Sequence, residues 1–295
     1  MFTSEKINDR ESMVKIAAIQ MHPVFGDVKG NVAKAVEKIR EAAGQGAKLI
    51  VLPELFNTGY MFNSREECYS LAEHIPGGYT YTTLESLAKE LDIYLVAGIT
   101  ELDSDDIRMY NTAVLIGPDG FIGKHHKLHL WCDDKIFFEP GDLGYQVFQT
   151  KIGRIGLLVC YDMWFFENFR ILAKLGADIV CIPTNWVAGP VKEHPTTGPS
   201  LAEVNAVCNN IYIVAADRIG TERECTFPGL SVIAAPDGTF KAGPASTTEE
   251  EILYAEVYLM DSRRLNWNRM NVVFRDRRTD LYDDMLGSGL TPTAK

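Results

Sequence analysis

The residues with chemical reach lie where short apolar runs end. Cys160 closes the run IGLLV in IGLLVCYDMWFFENFR (155–170), just before a helix-like segment; Glu54 ends LIVLP; Lys127 follows GFIGKHH. If these runs are strands of an open parallel sheet, their carboxyl ends line one rim, the side on which such sheets bind ligands. A cysteine between strand and helix receives the partial positive charge of the helix N-terminus, which favours thiolate over thiol. A neighbouring carboxylate can take and return a proton, and a lysine ammonium can stabilise an oxyanion on an attacked carbonyl. Together the three would support covalent acyl transfer through a thioester. Singly, each has a plainer reading: cysteine is among the most buried residue types, Glu54 could be a solvated loop acid, and Lys127 a surface charge. Periodicity does not join them.

The elements that must hold these residues alternate in period. β-rich apolar runs at KIAAIQM (15–21), KLIVLPE (48–54) and IYLVAGI (93–99) are separated by helical stretches at GNVAKAVEKIREAAGQG (30–46) and TYTTLESLAKELD (80–92). Continuous apolar strands of this kind suit a sheet covered by helices. In the first helix Val32, Ala35, Val36, Ile39 and Ala43 form a stripe that Gly44 and Gly46 end. The second half repeats the order with RIGLLVCY (154–161), a helix from about Phe165 to Leu175, DIVCIPT (178–184), a helix from about Ser200 to Asn209, and IYIVAAD (211–217). Each half closes on a hairpin turning at one tripeptide, Pro118-Asp119-Gly120 and Pro236-Asp237-Gly238. The expected fold is α/β, a four-layer α-β-β-α sandwich of two similar sheets with helices outside. No Pro-, Gly- or Ser-rich linker divides the chain. One domain is expected over 14–285, with a C-terminal arm from about 266, a polar and disordered leader at 1–13, and a tail at 286–295. The aperiodic stretch 185–200 is a candidate functional loop.

Composition narrows the partners. The 295 residues are 46% hydrophobic and 23% charged, as in an ordinary globular protein. A net charge of -11 repels phosphate backbones and anionic lipid, so neither nucleic acid nor a membrane is expected as partner. No run approaches the roughly 18 apolar residues of a membrane span, and the leader lacks the pattern of a secretory signal. The six cysteines are scattered without a C-x-x-C pair, which points to free thiols in the cytoplasm. His125 and His129 are four apart, as on a zinc-binding helix, but no third ligand follows at useful spacing and the segment adjoins a strand. No metal is expected.

What joins the candidates is a resemblance. LPELFNTGY (52–60), KHHKLHL (124–130), FFEPGD (137–142) and GLLVCYD (156–162) resemble the four signature blocks of the nitrilase superfamily of carbon-nitrogen hydrolases. The likeness runs from KIAAIQM to VVFRDRRTDLY (272–282). It implies the same α-β-β-α fold and a Glu-Lys-Cys triad without metal or organic cofactor: Glu54 as general base, Lys127 as oxyanion stabiliser, Cys160 as nucleophile. Many members carry a second glutamate, which orients the lysine and the attacking water. Its position falls on Asp134 in WCDDKIFFEPGD, one methylene shorter, with Asp133 and Glu139 as nearby substitutes.

The resemblance also bears on substrate and assembly. Nitrilases of the superfamily commonly follow the cysteine with Trp-Glu, amidases and carbamoylases more often with Tyr-Asp, and here the pair is Tyr161-Asp162. The expected reaction is hydrolysis of an amide or N-carbamoyl group of a small molecule with release of ammonia. The alternatives are nitrile hydrolysis and a non-catalytic relative of the fold. Tyr60, Tyr161, Trp164, Phe165, Asn185 and Trp186 stand where relatives build the acyl pocket, and Arg218 and Arg223 lie on a loop that could meet a substrate carboxylate. Relatives pair through helices beside the nucleophile and through a C-terminal arm, so a homodimer or larger homo-oligomer is expected.

Overall fold

The computed structural model of the protein describes residues 13–189, 196–264, 268 and 270–282. The leader at 1–12, the centre of the 185–200 loop, the start of the arm at 265–267 and the tail from 283 lie outside the described residues.

Two six-stranded sheets repeat one topology. In the first, Val14–Gln20, Leu49–Val51 and Tyr94–Leu102 run parallel, and the hairpin Met109–Gly117 with Gly120–His126 continues antiparallel. In the second, Arg154–Leu157, Ile179–Pro183 and Tyr212–Ala216 run parallel, and Val232–Ala234 with Phe240–Ala242 continues antiparallel. Both hairpins turn where the repeated Pro-Asp-Gly places them. Each sheet gains an antiparallel strand beside its first parallel one: Glu251–Val257 against Val14–Gln20, and Val147–Gln149 against Arg154–Leu157. Neither is among the elements expected from sequence, because one is three residues long and the other is mostly half-buried.

The strands read as continuous apolar runs because both their faces are covered. Side chains alternate across a strand. Ile16, Ala18, Leu49, Val51, Val96, Ala113 and Leu115 accordingly join the core shared with the second sheet. Their neighbours Ala17, Ile19, Ile50, Leu95, Ala97, Val114 and Ile116 pack with Val32, Ala35, Ile39 and Leu84 of the helices Val28–Gly44 and Tyr79–Leu91. The helices Phe166–Lys174 and Gly198–Asn209 bring Phe169, Leu172, Ala202 and Ala206 to the core on the second sheet's side. The result is the four-layer sandwich. The first helix starts at Val28, four residues before the first member of the stripe, where the Asp27 carboxylate accepts the Gly30 N–H at 3.0 Å. It buries Ala42 rather than Ala43.

The strand before the cysteine is shorter than its sequence suggests. It ends at Leu157, and Cys160–Trp164 forms a 3-10 turn before the helix Phe166–Lys174. The Asp162 carboxylate accepts the Val159 N–H at 3.0 Å, so that donor is taken by the turn rather than by the sheet.

Candidate active site

Glu54 leaves the first sheet just past Leu49–Val51, in a turn resting on Gly98. A Cβ on Gly98 would stand 2.4 Å from the Glu54 Cα and 2.7 Å from the Pro53 carbonyl, so only glycine permits the contact. Phe56 N–H donates to the Gly98 carbonyl at 3.1 Å, and Gly98 N–H to the Pro53 carbonyl at 3.2 Å. Lys127 follows Gly120–His126, and Asp134 opens the short helix Asp134–Phe137.

These three side chains meet inside the protein. The Lys127 Nζ donates to Glu54 Oε1 at 2.7 Å and to Asp134 Oδ2 at 2.6 Å, with all three residues buried. Asn111 Nδ2 donates to the same Glu54 oxygen at 2.6 Å, and Asn185 Nδ2 donates to the Glu54 carbonyl at 2.9 Å. Among the described residues Glu54 Oε2 has no hydrogen-bond partner, although it is buried. Asp134 therefore reaches the lysine despite its shorter side chain, while Glu139 is half-buried and pairs with Arg65 at 3.4 Å. Asp133 is exposed.

Cys160 opens the 3-10 turn with φ at 41°, in the left-handed region where a side chain is strained. It is 8% exposed. Burial pushes its thiol well up, the Glu54 carboxylate pushes it further, and the Lys127 ammonium and a backbone hydrogen bond from Asn185 oppose them. The balance favours the thiol over the thiolate. That corrects the expectation of a thiolate favoured by a helix terminus, since desolvation outweighs the terminus. Burial also raises the Glu54 carboxyl, against Lys127. At Lys127 burial alone would lower the pKa, but Asp134 and Glu54 more than offset it and the ammonium is held charged.

Asp162 ties the cysteine segment to the lysine segment. Its Oδ1 accepts the His129 N–H at 3.0 Å and lies 2.8 Å from His129 Nδ1; its Oδ2 lies 3.2 Å from His125 Nε2. Burial works against this carboxylate's charge, but the His125 and His129 hydrogen bonds prevail and hold it well below the usual range. The two histidines of the zinc-like spacing thus face one carboxylate between them. His126 turns away, 2.8 Å from Asp142 and 3.1 Å from Glu101, stacked on Tyr110.

The six pocket candidates separate. Tyr60 is buried with its ring 5.9 Å from the Lys127 ammonium, and Asn185 holds the backbone of Glu54. Trp186 is buried, with its indole where a Gly198 Cβ would stand, 2.2 Å away. Tyr161, Trp164 and Phe165 follow Cys160 along its turn: Tyr161 meets Trp131 edge-on at 4.8 Å, Phe165 stacks on His129 at 3.5 Å, and Trp164 is 51% exposed. Arg218 is fully buried on Glu222, and Arg223 pairs with Glu67, so both guanidinium groups are engaged within the chain. Asn111 and Asp162 are the site residues that sequence reasoning missed. Asn111 had a signal, a lone amide inside the apolar strand MYNTAVLIG.

The family model described as Carbon-nitrogen hydrolase matches residues 15–266. A nitrilase of Pyrococcus abyssi is 44% identical, over 92% of this chain and 99% of its own. An N-carbamoylputrescine amidase of Solanum lycopersicum is 35% identical, over 94% of this chain and 96% of its own. Among solved structures, the E41Q mutant of the amidase from Nesterenkonia sp. AN1 superposes with a TM-score of 0.75 at 25% identity, covering 92% of this chain and 96% of that one. It shows covalent addition of the acetamide moiety of fluoroacetamide at the active-site cysteine of that protein.

Proposed function

This chain belongs to the carbon-nitrogen hydrolase family, and from that premise we propose that it hydrolyses the C–N bond of a small amide or N-carbamoyl compound through a thioester on Cys160. The observation that carries the reading is the buried cluster in which the Lys127 ammonium bonds the carboxyl groups of both Glu54 and Asp134, beside Cys160. Glu54 Oε2, the oxygen without a partner among the described residues, takes the Sγ proton as sulfur attacks the carbonyl carbon. The Lys127 ammonium stabilises the oxyanion. As the C–N bond breaks, Glu54 returns the proton to the departing nitrogen, which leaves as ammonia. Glu54 then removes a proton from water, hydroxide adds to the thioester, and collapse expels the sulfur, which regains the proton. The products are ammonia and a carboxylic acid; a carbamoyl group yields ammonia and a carbamic acid, which breaks down to carbon dioxide and the amine. Asp134, the second carboxylate bonded to the ammonium, helps fix Lys127.

Mass spectrometry of the Glu54→Gln variant with fluoroacetamide tests this. The expected result is an adduct confined to the Cys160 peptide, together with ammonia release from a panel of amides by the wild type. Absence of both would refute the reading. A second reading, nitrile hydrolysis on the same residues, is favoured by the Pyrococcus abyssi relative named as a nitrilase; faster turnover of a nitrile than of its amide would select it. Exposed Phe166, Leu175 and Val204, on and beside the outer helices, support a homodimer or larger oligomer. Phe274 of the arm lies under Arg170 of the same chain at 4.9 Å, which keeps the arm beside that face. A monomeric mass by light scattering at micromolar concentration would contradict that assembly.

A further inference from the structure

Outside both sheets, the hairpin Ile219–Glu222 with Cys225–Pro228 carries a buried ion pair that the proposed reaction does not use. Glu222 Oε1 accepts the backbone N–H of Tyr60 at 2.7 Å and that of Met61 at 2.6 Å, while its Oε2 accepts Arg218 Nη1 at 2.7 Å. Arg218 is fully buried; its Nη2 donates to the Pro23 carbonyl at 3.2 Å, and its guanidinium lies 4.3 Å from the Phe227 ring centroid. Phe227 meets the Tyr60 ring edge-on at 5.9 Å. Gly59 makes room, since a Cβ there would stand 2.6 Å from Glu222 Oε2. Tyr60 is therefore gripped twice by the hairpin, at its backbone by a carboxylate and at its ring by an aromatic edge. Its other side faces Lys127.

A buried ion pair is a poor device for stability alone, because desolvation consumes most of the attraction. A paired carboxylate that also binds two successive amides fixes one backbone conformation, and here that conformation sets where the Tyr60 ring lies. We propose that Glu222 and Arg218 are positioning residues that hold Tyr60 over Lys127, and through it keep the ammonium in place beside Cys160. Their role in turnover rests on the proposed hydrolytic reading; their effect on the reactivity of Cys160 does not.

The test compares wild type, Glu222→Gln, Tyr60→Leu and the double variant by the rate at which iodoacetamide alkylates Cys160, followed by peptide mass spectrometry across pH. The exposed Cys208 serves as internal control. Because Lys127 favours the Cys160 thiolate, a displaced ammonium raises the midpoint of the alkylation profile. Glu222→Gln is expected to slow alkylation at neutral pH by about ten- to a hundredfold, the scale of a small misplacement in a site, with Cys208 unchanged. The double variant should be no slower than the worse single one, because both act through one ring. Additive losses, or a Cys160 profile that does not move, would overturn the proposal. Should Glu222→Gln fail to fold by circular dichroism, Phe227→Leu, which removes only the ring edge, carries the same comparison. A wild type that hydrolyses no amide while the alkylation pattern holds would sink the hydrolytic reading and leave the positioning role standing.

Discussion

Replacing Lys127 with methionine isolates the electrostatics of the buried cluster. Methionine keeps the length and apolar character of the stem but deletes an ammonium that lies 2.7 Å from Glu54 and 2.6 Å from Asp134. Two buried carboxylates then face each other without their cation. Breaking a buried pair in this way costs about 3–5 kcal/mol, in line with the ~4 kcal/mol Coulomb energy of unit charges ~4 Å apart at an effective dielectric near 20. Protonation is the escape. Burial already raises Glu54 above its ordinary 4.5, and Lys127 is the largest influence opposing that rise. In the variant the folded carboxyl binds its proton more tightly still. A raised carboxyl contributes stability that is fully present below the unfolded value and is lost as pH rises through the folded one. The loss relative to wild type is therefore expected to be about 3–5 kcal/mol near pH 8 and less than about half of that near pH 5. Urea unfolding at the two pH values measures it. A loss equal at both, or below about 1 kcal/mol at both, would refute the account of the cluster as a charged, desolvated unit.

Cys160→Ala should abolish turnover with an unchanged unfolding midpoint, and any retained amide hydrolysis would end the thioester mechanism. Glu54→Gln keeps the shape but cannot accept a proton, so steady-state rates should fall at least about a hundredfold; a mild effect would mean that another group is the base. Asp134→Ala removes one of the two carboxylates on Lys127 and should lower turnover by roughly ten- to a thousandfold, while Asp134→Glu is tolerated; unchanged rates with alanine would deny the residue any part. Gly98→Ala drives a Cβ to 2.4 Å from the Glu54 backbone, and thermal unfolding should show a loss of about 1–3 kcal/mol, as overpacking does; a neutral result would show that the Glu54 turn can shift freely.

Much of the fold was readable because local patterns and global topology agree. The alternation of apolar runs with 3.6-period stripes, and one Pro-Asp-Gly turn in each half, predict the two repeated units that the sheets display. What escaped was set by distant partners. Glu251–Val257 is a strand because Val14–Gln20 offers it an open edge, and its own pattern is mostly half-buried. The hairpin 219–228 belongs to neither sheet and is fastened by Arg218 and Glu222. The site divides in the same way. Glu54, Lys127 and Cys160 could be placed at strand ends from spacing, yet nothing local says that they share a cluster; only the resemblance joined them. Asn185 and Tyr60, candidates for the acyl pocket, also hold the Glu54 backbone and lie against Lys127, respectively, contacts that no local pattern encodes. Side-chain direction after a strand end depends on turns such as the left-handed one at Cys160, which no period encodes.

The thiol shows why a correct local principle can lose to a larger one. A helix terminus is worth about 0.3–1 kcal/mol, and at most ~2 in a partly buried setting. Here Cys160 opens a five-residue 3-10 turn that precedes the first full helix, which weakens the effect further. Full burial can shift a titrating group by up to 3–5 pKa units, about 4–7 kcal/mol. Desolvation wins, and the nucleophile waits as a thiol. The proposed reaction accordingly draws its reactivity from proton transfer to a base at hand rather than from a thiolate. In the proposed reaction Glu54 is that base, and the same burial that opposes the Cys160 thiolate also raises the Glu54 carboxyl, which strengthens it as a proton acceptor. Lys127 favours the ionised form of each and so lowers the cost of every charge-separated step between them. Depth of burial, unwritten in any single segment, decides how these residues divide the proton.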